Sequence, residues 1–114
     1  MDPISVAAIS RSLDGLALRY QATAENIANA NSKGFRPLRV TFENALQAAA
    51  PFGAGAVDRV KPKIGPDTGF APGSELRVDL ELATASETAM RYAALLDLLG
   101  RQMQISRTIV RGGQ

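Results

Sequence analysis

Apolar and small residues recur at alternating spacings of three and four along the last third of the chain. They are Leu82, Ala85, Ala89, Tyr92, Leu96, Leu99, Met103, Ser106 and Val110. The first quarter repeats the pattern with Val6, Ile9, Leu13, Leu16, Tyr20, Thr23 and Ile27. Such spacing places one stripe along one side of a helix, and alternating threes and fours describe a heptad-type seam. Two long amphipathic helices are therefore predicted, over residues 4–31 and from about Leu80 to Val110. A second apolar row, Leu95, Leu98, Ile105 and Ile109, runs beside the C-terminal seam. Two adjacent rows make a stripe too wide for one partner helix. That helix is expected to touch the N-terminal helix and at least one more chain.

The N-terminal pattern runs out in Asn26-Ile27-Ala28-Asn29-Ala30-Asn31-Ser32-Lys33-Gly34-Phe35-Arg36-Pro37. Asparagine side chains compete for nearby backbone groups and disfavour a helix interior. Gly34 suits a left-handed C-terminal cap, and Pro37 disfavours helical geometry at Arg36, so a stop is expected between Asn31 and Gly34. Gly15, beside the seam at Leu16, costs roughly 1 kcal/mol of helix propensity relative to alanine. Close approach of another backbone or simple tolerance would each account for it.

Leu38 to Phe42 alternates as a brief extended segment, and Glu43 to Ala50 reads as a short alanine-rich helix. Between Pro51 and Gly73, four prolines and five glycines deny helix or strand of any length. Leu76, Val78, Leu80 and Leu82 then alternate with Arg77, Asp79 and Glu81. That period of two would allow pairing with residues 38–42; alternatively, Asp79 caps the last helix with Glu81 in its first turn. Gly112-Gly113 is expected to end that helix.

A chain of 114 residues is one domain's worth, and its 46% hydrophobic content leans on alanine, with 5% aromatics and no Trp. Helix-on-helix packing through small residues fits this better than a bulky core. The expected fold is mainly α, with long N- and C-terminal helices paired as an antiparallel coiled coil, since one chain must return across its own middle. Leu13, Leu16 and Tyr20 would face the Tyr92–Leu99 region. A discontinuous rod-shaped domain of residues 1–35 and 76–114 is then joined by an irregular Pro/Gly-rich segment, 36–75, with room for a small β element.

Candidate chemistry changes this picture little. With no Cys and no His, thiolate and imidazole ligands and the usual neutral-pH acid–base group are missing. Glu75, Asp79, Glu81 and Glu87 precede or open a helix, where acidic residues suit the dipole. Lys61-Pro62-Lys63-Ile64-Gly65-Pro66 is no phosphate-binding loop. A net charge of +2 with scattered Lys and Arg is a weak footprint for nucleic acid. Asp2, Arg11, Asp14 and Arg19 interrupt any signal-peptide-like apolar region, and no stretch has the length to span a bilayer. The expectation is an assembly part rather than an enzyme, with no cofactor, no metal site and no small-molecule substrate.

The stretch from Ala24 to Phe35 closely resembles the signature of the flagellar axial proteins, the rod, hook and hook-associated family. In that family a long N-terminal helix ends in Asn-hydrophobic-Ala-Asn-x-x-Thr/Ser-x-Gly-aromatic. Asn26, Ile27, Ala28, Asn29, Ser32, Gly34 and Phe35 match in order and spacing, while Ser32-Lys33 stands where the family usually has Thr followed by Pro. Leu13 to Arg19, Phe42 to Leu46, and Val78-Asp79-Leu80 leading to Met90-Arg91-Tyr92 are similar to proximal rod subunits. The resemblance covers roughly residues 4–46 and 76–112. It implies a structural subunit of the proximal rod, the periplasm-spanning drive shaft that carries torque from motor to hook. It further implies export through the flagellar type III apparatus without signal cleavage. Implied partners are copies of itself, the other rod proteins, the rod–MS ring junction protein, the MS ring and the export apparatus. The Asn-rich turn is expected to serve as a geometric joint. Two other readings remain open from the residues: a small helical nucleic-acid-binding protein using Arg101, Arg107 and Arg111, and a type III export adaptor.

Overall fold

The computed structural model describes residues 1–112 and is elongated, with principal extents of 64 × 27 × 14 Å. Helix α1 spans Pro3–Ala28 and α4 spans Val78–Gly112. Between them lie β1 (Leu38–Thr41), α2 (Glu43–Ala49), a 3-10 turn (Ala50–Phe52), α3 (Ala54–Asp58) and β2 (Lys63–Pro66). At 1.5 Å per residue α1 is about 39 Å long and α4 about 52 Å. Residue 113 lies outside the described residues, and with it half of the Gly112-Gly113 stop.

Helix α1 starts where Asp2 accepts the Ser5 amide at 2.7 Å and Pro3 needs no intrahelical donor partner. That amide holds the Asp2 carboxyl below its ordinary range. The helix ends at Ala28, three residues before the expected stop. Asn29 is the cap: its backbone N–H and its side-chain Nδ2 both donate to Glu25 O. Three-residue turns then run on, from Ala30 N to Ile27 O, Ser32 N to Asn29 O and Phe35 N to Ser32 O. The second asparagine of the motif therefore caps the helix: its side chain doubles the bond to Glu25 O, while the next amide, Ala30 N, has already shifted to a three-residue turn on Ile27 O. Gly34, at φ +74°, occupies the left-handed position of the last of these turns.

The strand pairing differs from the expected one. β1 pairs antiparallel with β2, in the register Leu38 to Pro66, Arg39 to Gly65, Val40 to Ile64 and Thr41 to Lys63. In a two-stranded ribbon each strand has a free edge, so Pro66 costs no ladder bond. Residues 78–82 are helical instead. α4 begins two residues before Leu80, with Glu81 N bonded to Arg77 O. Asp79 is not its cap; it lies inside the first turn, where its carboxylate takes Arg77 Nε at 3.1 Å and Nη2 at 2.8 Å. That guanidinium holds the Asp79 carboxyl below its ordinary range.

The helices α1 and α4 pack antiparallel: Asn26 meets Glu81 near one end, and Leu16 and Tyr92 line one cleft further along. The middle segment folds back on α1. Leu16, Ala22, Val40 and Phe42 form the core, flanked by Leu18, Leu38, Leu46, Tyr92 and Leu95, while α3 lies on α1 and buries Val57. Gly15 is buried against a side chain, not a backbone: a Cβ there would overlap the Phe42 ring. Gly15→Ala should therefore lower the melting temperature of the purified chain, by a loss of about 1–3 kcal/mol from overpacking. Helix propensity alone predicts the opposite sign, so a raised melting temperature would show that the Phe42 contact does not govern this position.

Candidate functional site

Two polar clusters fix the geometry in which the helices present themselves. In the first, Arg19 projects from the middle of α1 and grips the end of β1 and the start of α2. Its Nη1 and Nη2 donate to the Glu43 carboxylate at 2.6 and 2.8 Å, and Nη2 also donates to Val40 O at 2.7 Å. The guanidinium lies 4.8 Å from the centroid of the Phe42 ring, a cation–π stack. Arg19, which in the sequence is only a charge interrupting an apolar stretch, is thus largely sheltered and central. Arg19 holds the Glu43 carboxyl down at about 2, against an ordinary 4.5.

The second cluster gathers around Asn26, the first residue of the flagellar-like motif, which is fully buried at 0% exposure. Its Oδ1 accepts Leu38 N at 2.8 Å and its Nδ2 donates to Leu38 O at 3.0 Å, so the amide pairs with both polar groups of one β1 residue. The same Nδ2 donates to Glu81 Oε2 at 3.1 Å. Glu81, 3% exposed, receives Arg39 Nη2 on its other oxygen at 2.7 Å, and Arg39 Nε reaches Asp67 at 3.1 Å. Arg39 is held above its ordinary range chiefly by Glu81. One chain of bonds thereby ties α1, β1, the segment after β2 and the start of α4. The type of residue at Glu81 gave no sign of this, because acidic residues in a first helical turn are common for dipole reasons alone.

The remaining motif residues are dispersed around this clamp. Ile27 and Phe35 are half-buried; Ala28, Ser32 and Gly34 are exposed; Asn29 caps α1. Ser32, Gly34 and Phe35 line a shallow depression with Phe70, Pro72 and Leu76.

The expected seam on α4 is split: Ala85, Tyr92 and Leu99 are half-buried on the side of α1, and its other members are exposed. The α4 residues packed against α1 follow Glu81, Thr84, Ala85, Thr88, Tyr92, Leu95 and Leu99. The two that are buried, Glu81 and Thr88, are polar. Leu82, Ala89, Leu96 and Met103 are exposed along one flank of that face, Ala89 at the cleft with α1. Leu98, Ile105 and Ile109 are exposed as well. The cause is the clamp: once Glu81 is turned inward to Asn26, its neighbour Leu82 is carried about 100° away, and each heptad repeat follows it. On α1, Ile9 and Leu16 are buried and Leu13 half-buried, while Tyr20 is 48% exposed. Tyr20 and Tyr92 meet across a cleft of about 340 Å³, which Leu16, Ala17, Gln21, Thr88 and Ala89 complete.

Among the described residues no group of His, Cys, Asp and Glu gathers in the number a metal needs. Nor is any described helix long and apolar enough to cross a membrane. Arg101 is paired with Asp97 at 3.0 Å, one turn away on α4. No family model matches the chain, and no curated protein is significantly similar to it.

Asn26→Ala should cost about 2–4 kcal/mol, because it strands the Leu38 backbone groups and one Glu81 oxygen in a buried place. Asn26→Asp should cost at least as much, since a carboxylate cannot donate to Leu38 O and would face Glu81. Denaturant melts measure both; near-wild-type midpoints would show that the clamp is dispensable. Acid titration of stability checks the Arg19–Glu43 pair. With its folded value depressed, Glu43 contributes fully above about pH 4.5, and its contribution fades as pH falls towards 2. Glu43→Gln should flatten the stability profile in that window, and an unchanged profile would exclude the pair as its source.

Proposed function

We propose that the chain is a structural subunit of the proximal rod of a bacterial flagellar basal body, akin to flagellar basal-body rod protein B. The observation that carries this reading is the exposed apolar surface of α4. Leu82, Leu96 and Met103 on one flank of the helix, and Ile105 and Ile109 on the other, form apolar surface of a kind normally buried against other chains. The flagellar-like motif supports it from the other end of the structure. Its first Asn is the buried clamp, its second caps the helix, and its Gly holds a positive φ. Those are roles that call for these residue types at these places.

As a rod part, the chain works through shape and stiffness. Its α1–α4 pair, acting as a coiled-coil domain, lies along the shaft, and the β1–β2 ribbon with α2 and α3 braces it from the side. The clamps at Arg19 and Asn26 oppose sliding of one helix past the other, which is what a torque-bearing part requires. Neighbouring copies, other rod proteins, the rod–MS ring junction protein and the MS ring would cover this apolar surface. Delivery would be through the flagellar export apparatus.

Leu96 is 51% exposed, so Leu96→Asp should leave the fold of the chain intact while blocking its incorporation. A strain carrying it should secrete the protein and fail to swim; normal swimming would exclude this face as an assembly surface. Gly34→Val should likewise be secreted without supporting motility. Nothing lies near enough to obstruct its side chain, so the strain comes from the φ of +74° alone. Full motility would refute the joint, and lost secretion would assign the motif to export.

A further inference from the structure

Antiparallel pairing leaves the end of α4 without cover. Residue sums of about 107 relate facing positions: Asn26 bonds Glu81, and Leu16 and Tyr92 share a cleft. By that register α1 begins opposite residue 104, and α4 continues to Gly112. The overhang presents Ile105 and Ile109, one turn apart and both exposed. After Asp97 the helix holds Arg101, Arg107 and Arg111 and no acidic residue, so this end is basic.

The cleft between Tyr20 and Tyr92 is the complementary surface. Its floor is Leu16 and Ala17 with Ala89, and the exposed Leu82 and Leu96 continue its α4 lip in both directions. Its α1 lip follows the stripe Asp14, Ala17, Gln21 and Glu25, whose charged members are exposed and acidic. Ala89 and Ile109 are twenty residues apart on one continuous helix, about 30 Å. A chain cannot bend its own overhang into its own cleft.

We infer that the α4 overhang of one copy docks in the α1–α4 cleft of the next. The proposal rests on the assembly reading above and names the contact that reading needs. Ile105 and Ile109 enter between Tyr20 and Tyr92, while the basic end is steered by the Asp14–Glu25 lip. The two surfaces are different patches of the same chain, so the contact is heterologous, and repetition yields an open string of subunits rather than a closed two-fold dimer.

The chain contains no cysteine, which makes disulfide mapping direct. Full-length chains carrying Ala89→Cys, Ile109→Cys or both are oxidised at a concentration where the wild type sediments as oligomers. Each single variant should stay uncross-linked, their mixture should give a dimer, and the double variant a ladder of higher species. Ile109→Asp should raise the concentration needed for self-association by about tenfold or more. Efficient cross-linking of Ile109→Cys to itself would overturn the proposal in favour of a two-fold contact. A wild type that stays monomeric up to its solubility limit would overturn it too, as would a mixture that fails to cross-link. None of these three touches the rod reading itself, which fails separately if a deletion strain still swims.

Discussion

The pairing of the Asn26 amide with the backbone of Leu38 decides the rest of the structure. A side-chain amide is the one neutral group that offers a donor and an acceptor in the spacing of a peptide unit, so it can stand in for a strand neighbour. By satisfying both polar groups of Leu38, it lets an edge of β1 approach the end of α1 without stranded backbone atoms. Its remaining N–H draws Glu81 inward, and the buried carboxylate is tolerated because Arg39 balances it. From that point the rotation of α4 about its axis is set.

This rotation decides which residues α4 turns towards α1. A heptad seam is ordinarily read as the face a helix turns to its nearest partner. In α4 the inward face instead carries a polar anchor and a mixed row of Thr, Ala, Tyr and Leu, so the seam is split: Ala85, Tyr92 and Leu99 face α1, and Leu82, Ala89, Leu96 and Met103 lie exposed on one flank. The chain thus holds its own helices together by hydrogen bonds and moderate apolar contact. Arg19 adds a second fixed point midway along α1, where Gly15 gives the Phe42 ring room beneath the guanidinium. The two anchors are seven residues apart, two turns along the same side of α1.

Much of the architecture was legible from periodicity: both long helices, the short helix beginning at Glu43, and the extended character of residues 38–42. What escaped were features made by single long-range contacts. Nothing local distinguishes Glu81 from any acidic residue in a first turn, or Arg19 from a solvated arginine. Ile64 in β2 is flanked closely by Pro62, Gly65 and Pro66, and only a free strand edge makes that composition compatible with pairing. Gly15 was visible as an anomaly, yet what fills its space is a ring 27 residues away. The motif residues were recognised as a set, while the division of labour among Asn26, Asn29 and Gly34 became clear only in three dimensions.

Electron microscopy of basal bodies purified from cells lacking this chain tests the assembly role most directly. Rings without a completed rod, restored by re-expressing the intact chain, are the expected result. A full-length rod in the absence of the chain would contradict it.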